Sequence, residues 1–180
     1  MSDVDEVKLK IAAENVNYFK QNGISLEGKK VLDVGFGLGY NSSIMKRLGA
    51  DVYGVEPDSK AFEFAVSNGL IDKEKAFKCL LQDIPQDLLG TFDIATVFLY
   101  NIPLSEREAF AQTLAKAIKP DGNIVIGIHD DIYITGDPYL KPVSATINSF
   151  FGSLNSMKTN NIGNRFFINA SEPRVINKRL

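Results

Sequence analysis

The stretch Val31-Leu32-Asp33-Val34-Gly35-Phe36-Gly37-Leu38-Gly39-Tyr40-Asn41 decides how the rest of the chain is read. Val31, Leu32 and Val34 form a short apolar run suited to a strand buried on both faces. Glycines then alternate through positions 35, 37 and 39, and Ile44, Met45 and Leu48 continue at helical spacing. A strand that turns through glycines into a helix is a way of holding a nucleotide. Without Cβ atoms the backbone can take positive φ and approach a ligand closely, and the helix start offers free N–H groups.

The kind of nucleotide is read from the neighbours. A dinucleotide turn has the form G-x-G-x-x-G/A, and counting from Gly35 puts Tyr40 where the last small residue belongs. Counting from Gly37 puts Ser42 there, a weak match. Asp33, two residues before the first glycine, is more informative. A carboxylate beside the cradle repels a pyrophosphate and attracts a cationic ligand or an ammonium group.

Outward from this stretch the chain alternates. Leu9, Ala12, Val16 and Phe19 fall on one helical face, stopped by Asn22-Gly23, with Tyr18 and Phe19 read as core residues or part of a lid. Val52 to Val55 is a second strand, ended by Glu56, Pro57 and an N-cap at Asp58. A helix with Ala61, Phe62, Ala65 and Val66 follows. Residues 76–81 are expected to be a third strand with Gln82-Asp83 at its end, and residues 92–98 a fourth. Ser105-Glu106-Arg107-Glu108 reads as a capping box. It opens a helix that buries Phe110, Leu114, Ala117 and Ile118, with Lys116 and Lys119 in its last turn, where they favour the dipole. Pro120-Asp121-Gly122 turns into a fifth strand, residues 124–128. Strands alternating with helices predict a parallel sheet covered on both faces. At the end, residues 139–151 can form a helix, and residues 154–158 and 165–168 read as a hairpin, hence an antiparallel edge.

Composition sets bounds. The chain has 180 residues, enough for one domain with a single good core. Apolar residues at 44% and charged ones at 23% are ordinary for a globular protein, and the net charge of −2 creates no strong field toward nucleic acid or membrane. The acidic Met1 to Glu6 is unlike a signal peptide, and Ile94 to Leu104 is too short to span a bilayer, so a cytoplasmic location is expected. Cys79 is the lone cysteine and reads as a small buried hydrophobe.

Taken together, the (V/I)-L-(D/E)-x-G-x-G-x-G stretch, Glu56 after strand two, Asp83 after strand three and Lys119-Pro120-Asp121-Gly122 before strand five resemble the class I S-adenosylmethionine-dependent methyltransferases. The resemblance covers residues 28–170, about the whole core. Residues 1–27 then form a helix flanking the cofactor pocket and residues 171–180 a basic tail. The resemblance implies an α/β, single-domain, Rossmann-like fold. Its mostly parallel seven-stranded sheet would have the order 3-2-1-4-5-7-6, with an antiparallel last strand and helices on both faces.

It also implies S-adenosylmethionine as cofactor, held by Asp33, Gly35, Phe36, Gly37, Gly39, Glu56, Pro57, Asp83, Ile84 and Phe98. Glu56 can accept from both ribose hydroxyls, Asp83 from the adenine amine, and the Ile84 N–H can reach a ring nitrogen. Asp33 would orient the amino-acid end, directly or through a neighbouring group. Asp and Glu are 22 of the 180 residues. Acids at all three strand ends would then arise by chance about once in a hundred, allowing for their preference for turns.

Methyl transfer from a sulfonium demands positioning above all, and a base only when the acceptor starts protonated. Candidates to face the acceptor are Tyr100 and Asn101 after strand four and His129 after strand five, the last as general base. No metal is expected. The acceptor is expected to be a small molecule with a nitrogen or oxygen nucleophile, since the segment from His129 to Lys141 is apolar and aromatic and basic residues are not concentrated in the loops. Two alternatives stay open: an NAD(P)-dependent oxidoreductase, and a non-catalytic subunit that completes a protein partner.

Overall fold

The computed structural model describes residues 3–21, 23–98, 107–128, 165–169 and 175–178. Helix α1 (Asp3–Gln21) leads into strand β1 (Lys30–Val34), and the glycine turn then opens helix α2 (Tyr40–Arg47). Strand β2 (Asp51–Val55), helix α3 (Ser59–Ser67) and strand β3 (Ala76–Phe77) follow. Strand β4 (Phe92–Phe98), helix α4 (Arg107–Ala117), strand β5 (Ile118–Ile128), strand β6 (Arg165–Asn169) and strand β7 (Val175–Lys178) complete the described elements. They form one seven-stranded sheet of order β3-β2-β1-β4-β5-β6-β7, parallel except for the β6–β7 pair.

Alternation along the strands sorts the core into two layers. Leu32, Val34, Ala95 and Val97 pack with Phe110, Ala111, Leu114 and Ala117 of α4 on one face. Val31, Val52, Ile94 and Phe98 pack with Val16 and Phe19 of α1, Met45 of α2 and Ala65 of α3 on the other. Phe19, at 1% exposure, is thus a core residue; the side chain of Tyr18 lies outside the described residues. Asp58 caps α3 by accepting from the Ala61 N–H at 2.8 Å. Among the described residues no helix is long and apolar enough to cross a membrane.

The structure departs from the sequence reading at three places. Strand β3 has two residues rather than six: the Cys79 N–H donates to the Phe77 carbonyl, and a 3₁₀ turn at Leu81–Asp83 follows. Leu81 and Ile84 are buried while Leu80 is 45% exposed. An apolar run of this length does not distinguish a strand from a corner that buries part of it.

Helix α4 ends at Ala117, so Lys119 is not in its last turn. Its Nζ instead lies 2.8 Å from an Asp93 oxygen. The expected turn at Lys119 to Gly122 survives as a register shift, with Phe92 opposite Ile118 but Ile94 opposite Asn123. A bulge of that kind is where a strand tolerates proline.

The C-terminal edge differs most. The expected last strand, residues 165–168, does lie beside β5 as β6, but it pairs there in parallel rather than antiparallel, and β7, in the expected tail, is the antiparallel edge. The residues between β5 and β6 exceed the dozen or so that a parallel crossover needs, and the short link from β6 to β7 suits a hairpin. The expected strand at 154–158 and helix at 139–151 lie outside the described residues, as do Ser105 and Glu106 of the capping box.

Candidate functional site

The carboxyl ends of β1, β2 and β4 converge on the glycine turn, the place where an open α/β sheet receives a ligand. Gly35, Gly37 and Gly39 all have positive φ, at 68°, 55° and 82°. The turn is anchored to β2, for the Val55 carbonyl accepts from Gly35 N at 2.8 Å and from Phe36 N at 3.3 Å.

The glycines differ in what surrounds them. A Cβ on Gly39 would stand 2.9 Å from the Ala65 Cβ and 3.0 Å from the Leu70 Cβ, so this glycine lets α2 approach α3. A Cβ on Gly37 would meet nothing within 4 Å. Gly37 faces the open side of the turn and is the position where a ligand can come against backbone.

Glu56 is only 7% exposed and joins turn to strand. One carboxylate oxygen accepts from Gly37 N at 2.8 Å and the other from Asp58 N at 2.8 Å. Each carboxylate oxygen has a second lone-pair direction, so the group retains capacity for hydroxyl donors. The exposed Pro57 lies between Glu56 and Asp58 and carries the chain out of β2.

Of the two routes expected for Asp33, direct or through a neighbouring group, its surroundings leave no exposed oxygen for the direct one. Its carboxylate is 1% exposed, and Oδ2 accepts from Ser42 Oγ at 2.6 Å while Oδ1 accepts from Thr96 Oγ1 at 2.9 Å. Burial pushes its pKa up to about 6; the two hydroxyl bonds pull it down, and the Glu56 charge adds a smaller upward push. Both Asp33 oxygens are thus turned inward to hydroxyls of α2 and β4 at the foot of the glycine turn.

Phe36 likewise presents backbone only. Its ring is buried, 6.0 Å from that of Phe62. A Cβ on Gly54 would come within 2.5 Å of that ring, so the glycine in β2 is the seat for it.

The strand-three side supplies a rim. Glu56 N donates to the Phe77 carbonyl at 3.0 Å, which sets the end of β3 beside the end of β2. Asp83 is exposed on the turn that follows. Ile84 is buried, and its N–H, expected to reach a ring nitrogen, donates to the Leu81 carbonyl at 3.2 Å. The thiol of Cys79 is pushed above its ordinary value by burial and then by the Asp83 charge, the opposite of what a nucleophilic cysteine needs. Phe98 is 9% exposed at the end of β4, in the same cluster as Phe36.

Tyr100, Asn101 and His129 lie outside the described residues. Among the described residues no group of three or more His, Cys, Asp or Glu could hold a metal ion. Sequence reasoning missed Ser42 and Thr96 as parts of the site. The available signal was a lone hydroxyl inside the apolar run of β4, but the register that sets Thr96 opposite Asp33 is a property of the sheet.

Residues 32–126 match the family described as a methyltransferase domain. Over 111 residues the chain is 32% identical to the mitochondrial ubiquinone biosynthesis O-methyltransferase of Bos taurus, which covers 59% of this chain and 30% of that relative. The chain spans less than half the length of the curated relatives it matches. A SAM dependent methyltransferase from Archaeoglobus fulgidus shares the fold with a TM-score of 0.59 at 19% identity, over 79% of this chain and 67% of that one. A 16S rRNA adenine methyltransferase from Catenulisporales acidiphilia does so with a TM-score of 0.55 at 18% identity, over 83% and 80%. Fold alone therefore does not select the acceptor.

Proposed function

The chain belongs to the methyltransferase domain family, and from that premise we propose that it binds S-adenosylmethionine at the glycine turn and methylates an oxygen nucleophile on a small molecule. The observation that carries the reading is the pairing of Gly37 and Glu56. An open backbone position lies against a buried carboxylate with acceptor capacity to spare, inside a motif of the right family. That arrangement fits the ribose of an adenosyl ligand. Glu56 would accept from the ribose hydroxyls, Asp83 would serve the adenine side, and the turn held by Asp33 would take the amino-acid end.

The cofactor supplies a methyl group on a good leaving sulfur, so the chain's task is to orient the acceptor and to exclude water. Tyr100, Asn101 and His129 are proposed to face the acceptor, with His129 taking the proton of a hydroxyl. The choice of oxygen rests on the named activity of the ubiquinone O-methyltransferase relatives. A cytoplasmic location belongs to the same proposal and rests on the sequence.

The test is a calorimetric titration with S-adenosylhomocysteine, S-adenosylmethionine and NAD(H), followed by transfer of labelled methyl to catechol-type phenols and to bulk RNA. Binding of both adenosyl ligands and labelling of phenols supports the proposal. Response to NAD(H) alone overturns it in favour of an oxidoreductase. Response to no ligand overturns it in favour of a partner-dependent subunit. Labelling of RNA alone overturns the acceptor class.

A further inference from the structure

Apart from Thr96, the face of the sheet that carries Asp33 is otherwise apolar. Val31 and Asp33 on β1, Val52 and Gly54 on β2, and Ile94, Thr96 and Phe98 on β4 share it by strand alternation. A carboxylate there is expensive to keep unless its oxygens are satisfied. The two groups that satisfy it come from two different elements. Thr96, 0% exposed, stands directly opposite Asp33 in the β1–β4 register, and Ser42, also 0% exposed, sits in the first turn of α2. Asp33 is two residues before Gly35, and Ser42 is three residues after Gly39. The Ser42–Asp33 bond at 2.6 Å therefore closes across the glycine turn, and the Thr96–Asp33 bond at 2.9 Å ties the strand end that enters the turn to β4.

We infer that Ser42 and Thr96 are positioning residues for cofactor binding: their hydroxyls hold the Asp33 carboxylate in place and ionised, and through it fix the glycine turn and the buried negative charge beneath it. The inference rests on the proposal that this turn receives an adenosyl ligand whose sulfonium end is cationic. Removing either hydroxyl removes a bond to the charged form, so Asp33 takes a proton more readily and its carboxylate loses one of its two hydroxyl partners. The other charged group acting on Asp33 is Glu56 at the end of β2. Lys46 on α2 is turned to Asp72, and Asp93 on β4 to Lys119 and the Lys30 N–H.

The experiment compares Thr96→Val, Ser42→Ala and the hydroxyl-retaining Thr96→Ser with the native chain. Asp33 is titrated by its carboxyl carbon signal, the Gly35, Gly37 and Gly39 amides are followed alongside, and both adenosyl ligands are titrated across the range from about pH 5.5 to 8.5. The expected result is that the glycine amides move with Asp33, and that its midpoint rises in Thr96→Val and Ser42→Ala but not in Thr96→Ser. A rise of about one pH unit lowers the ionised fraction at about pH 6.5 roughly threefold, and affinity for S-adenosylmethionine falls with it. S-adenosylhomocysteine, lacking the sulfonium charge, loses less, and the deficit narrows at high pH.

A merely structural role would lower affinity for both ligands equally at every pH. That result, or an unmoved midpoint with unmoved glycine amides, overturns the inference. Ser42→Ala carries the test should Thr96→Val fail to fold. Coupled glycine amides in a native chain that binds neither adenosyl ligand would remove the methyltransferase reading while leaving the coupling of hydroxyls, carboxylate and turn standing.

Discussion

Alanine at Gly37 and alanine at Gly39 should fail in opposite ways, although the two glycines are two residues apart in one turn. Both have positive φ, 55° and 82°, and a side chain there costs about 1–2 kcal/mol. At Gly39 a second cost is added. The new methyl would lie 2.9 Å from the Ala65 Cβ and 3.0 Å from the Leu70 Cβ. Ala65 is fully buried and has no flexible end to give way. Overpacking of this kind costs about 1–3 kcal/mol more.

Gly39→Ala should therefore lose about 2–5 kcal/mol of stability, which for a chain of this size lowers Tm by roughly 5–15 °C. Gly37→Ala should lose only the conformational part, because its methyl meets nothing within 4 Å. That open space is where the ligand is proposed to lie, so Gly37→Ala should bind S-adenosylhomocysteine at least about tenfold more weakly, a deficit of about 1.4 kcal/mol. Urea melts and calorimetric titrations on the two variants measure both quantities. The reasoning is refuted if Gly37→Ala melts as low as Gly39→Ala, or if it binds the ligand as the native chain does.

Two further predictions concern the carboxylates. Glu56→Ala removes a charged acceptor and should cost about 1.5–3 kcal/mol of adenosyl-ligand affinity; an unchanged calorimetric Kd would mean the ribose is not held at the end of β2. Asp33→Asn should change how stability depends on pH. The folded chain binds this proton more tightly than the unfolded chain, with a pKa of about 6 against 3.8. The stability it contributes is therefore full below about pH 4 and lost as pH rises through about 6, amounting to about 3 kcal/mol. The native-minus-variant difference in urea melts should follow that curve, with Asp33→Asn the more stable at neutral pH and the weaker binder of S-adenosylmethionine. A difference that stays flat between about pH 4 and 7 would show that Asp33 is not the buried acid described above.

Much of this was legible in the residue string because local rules and tertiary packing agree there. The β1 run, the glycines and the α2 pattern form one continuous signal, and the Asp58 cap is settled by a neighbour three residues away. The alternation of apolar strands and amphipathic helices leaves a parallel sheet as the way to bury both. Glu56 at the end of β2 could be singled out for the same reason, since a strand end fixes where a side chain emerges.

What the sequence could not contain is register and contact across the sheet. Residues 76–81 are apolar enough for a strand, and only the packing of Leu81 and Ile84 under α4 turns them into a corner. Lys119 lies at helical spacing, yet Asp93, 26 residues earlier, claims its ammonium. The pairing of β6 and β7 at the edge depends on chain direction, which periodicity does not encode. The role of Asp33 is the clearest case. Its identity and place in the motif were visible, but whether its oxygens face a ligand or two hydroxyls is decided by Thr96, which lies 63 residues away and reaches it only through the parallel register of β1 and β4.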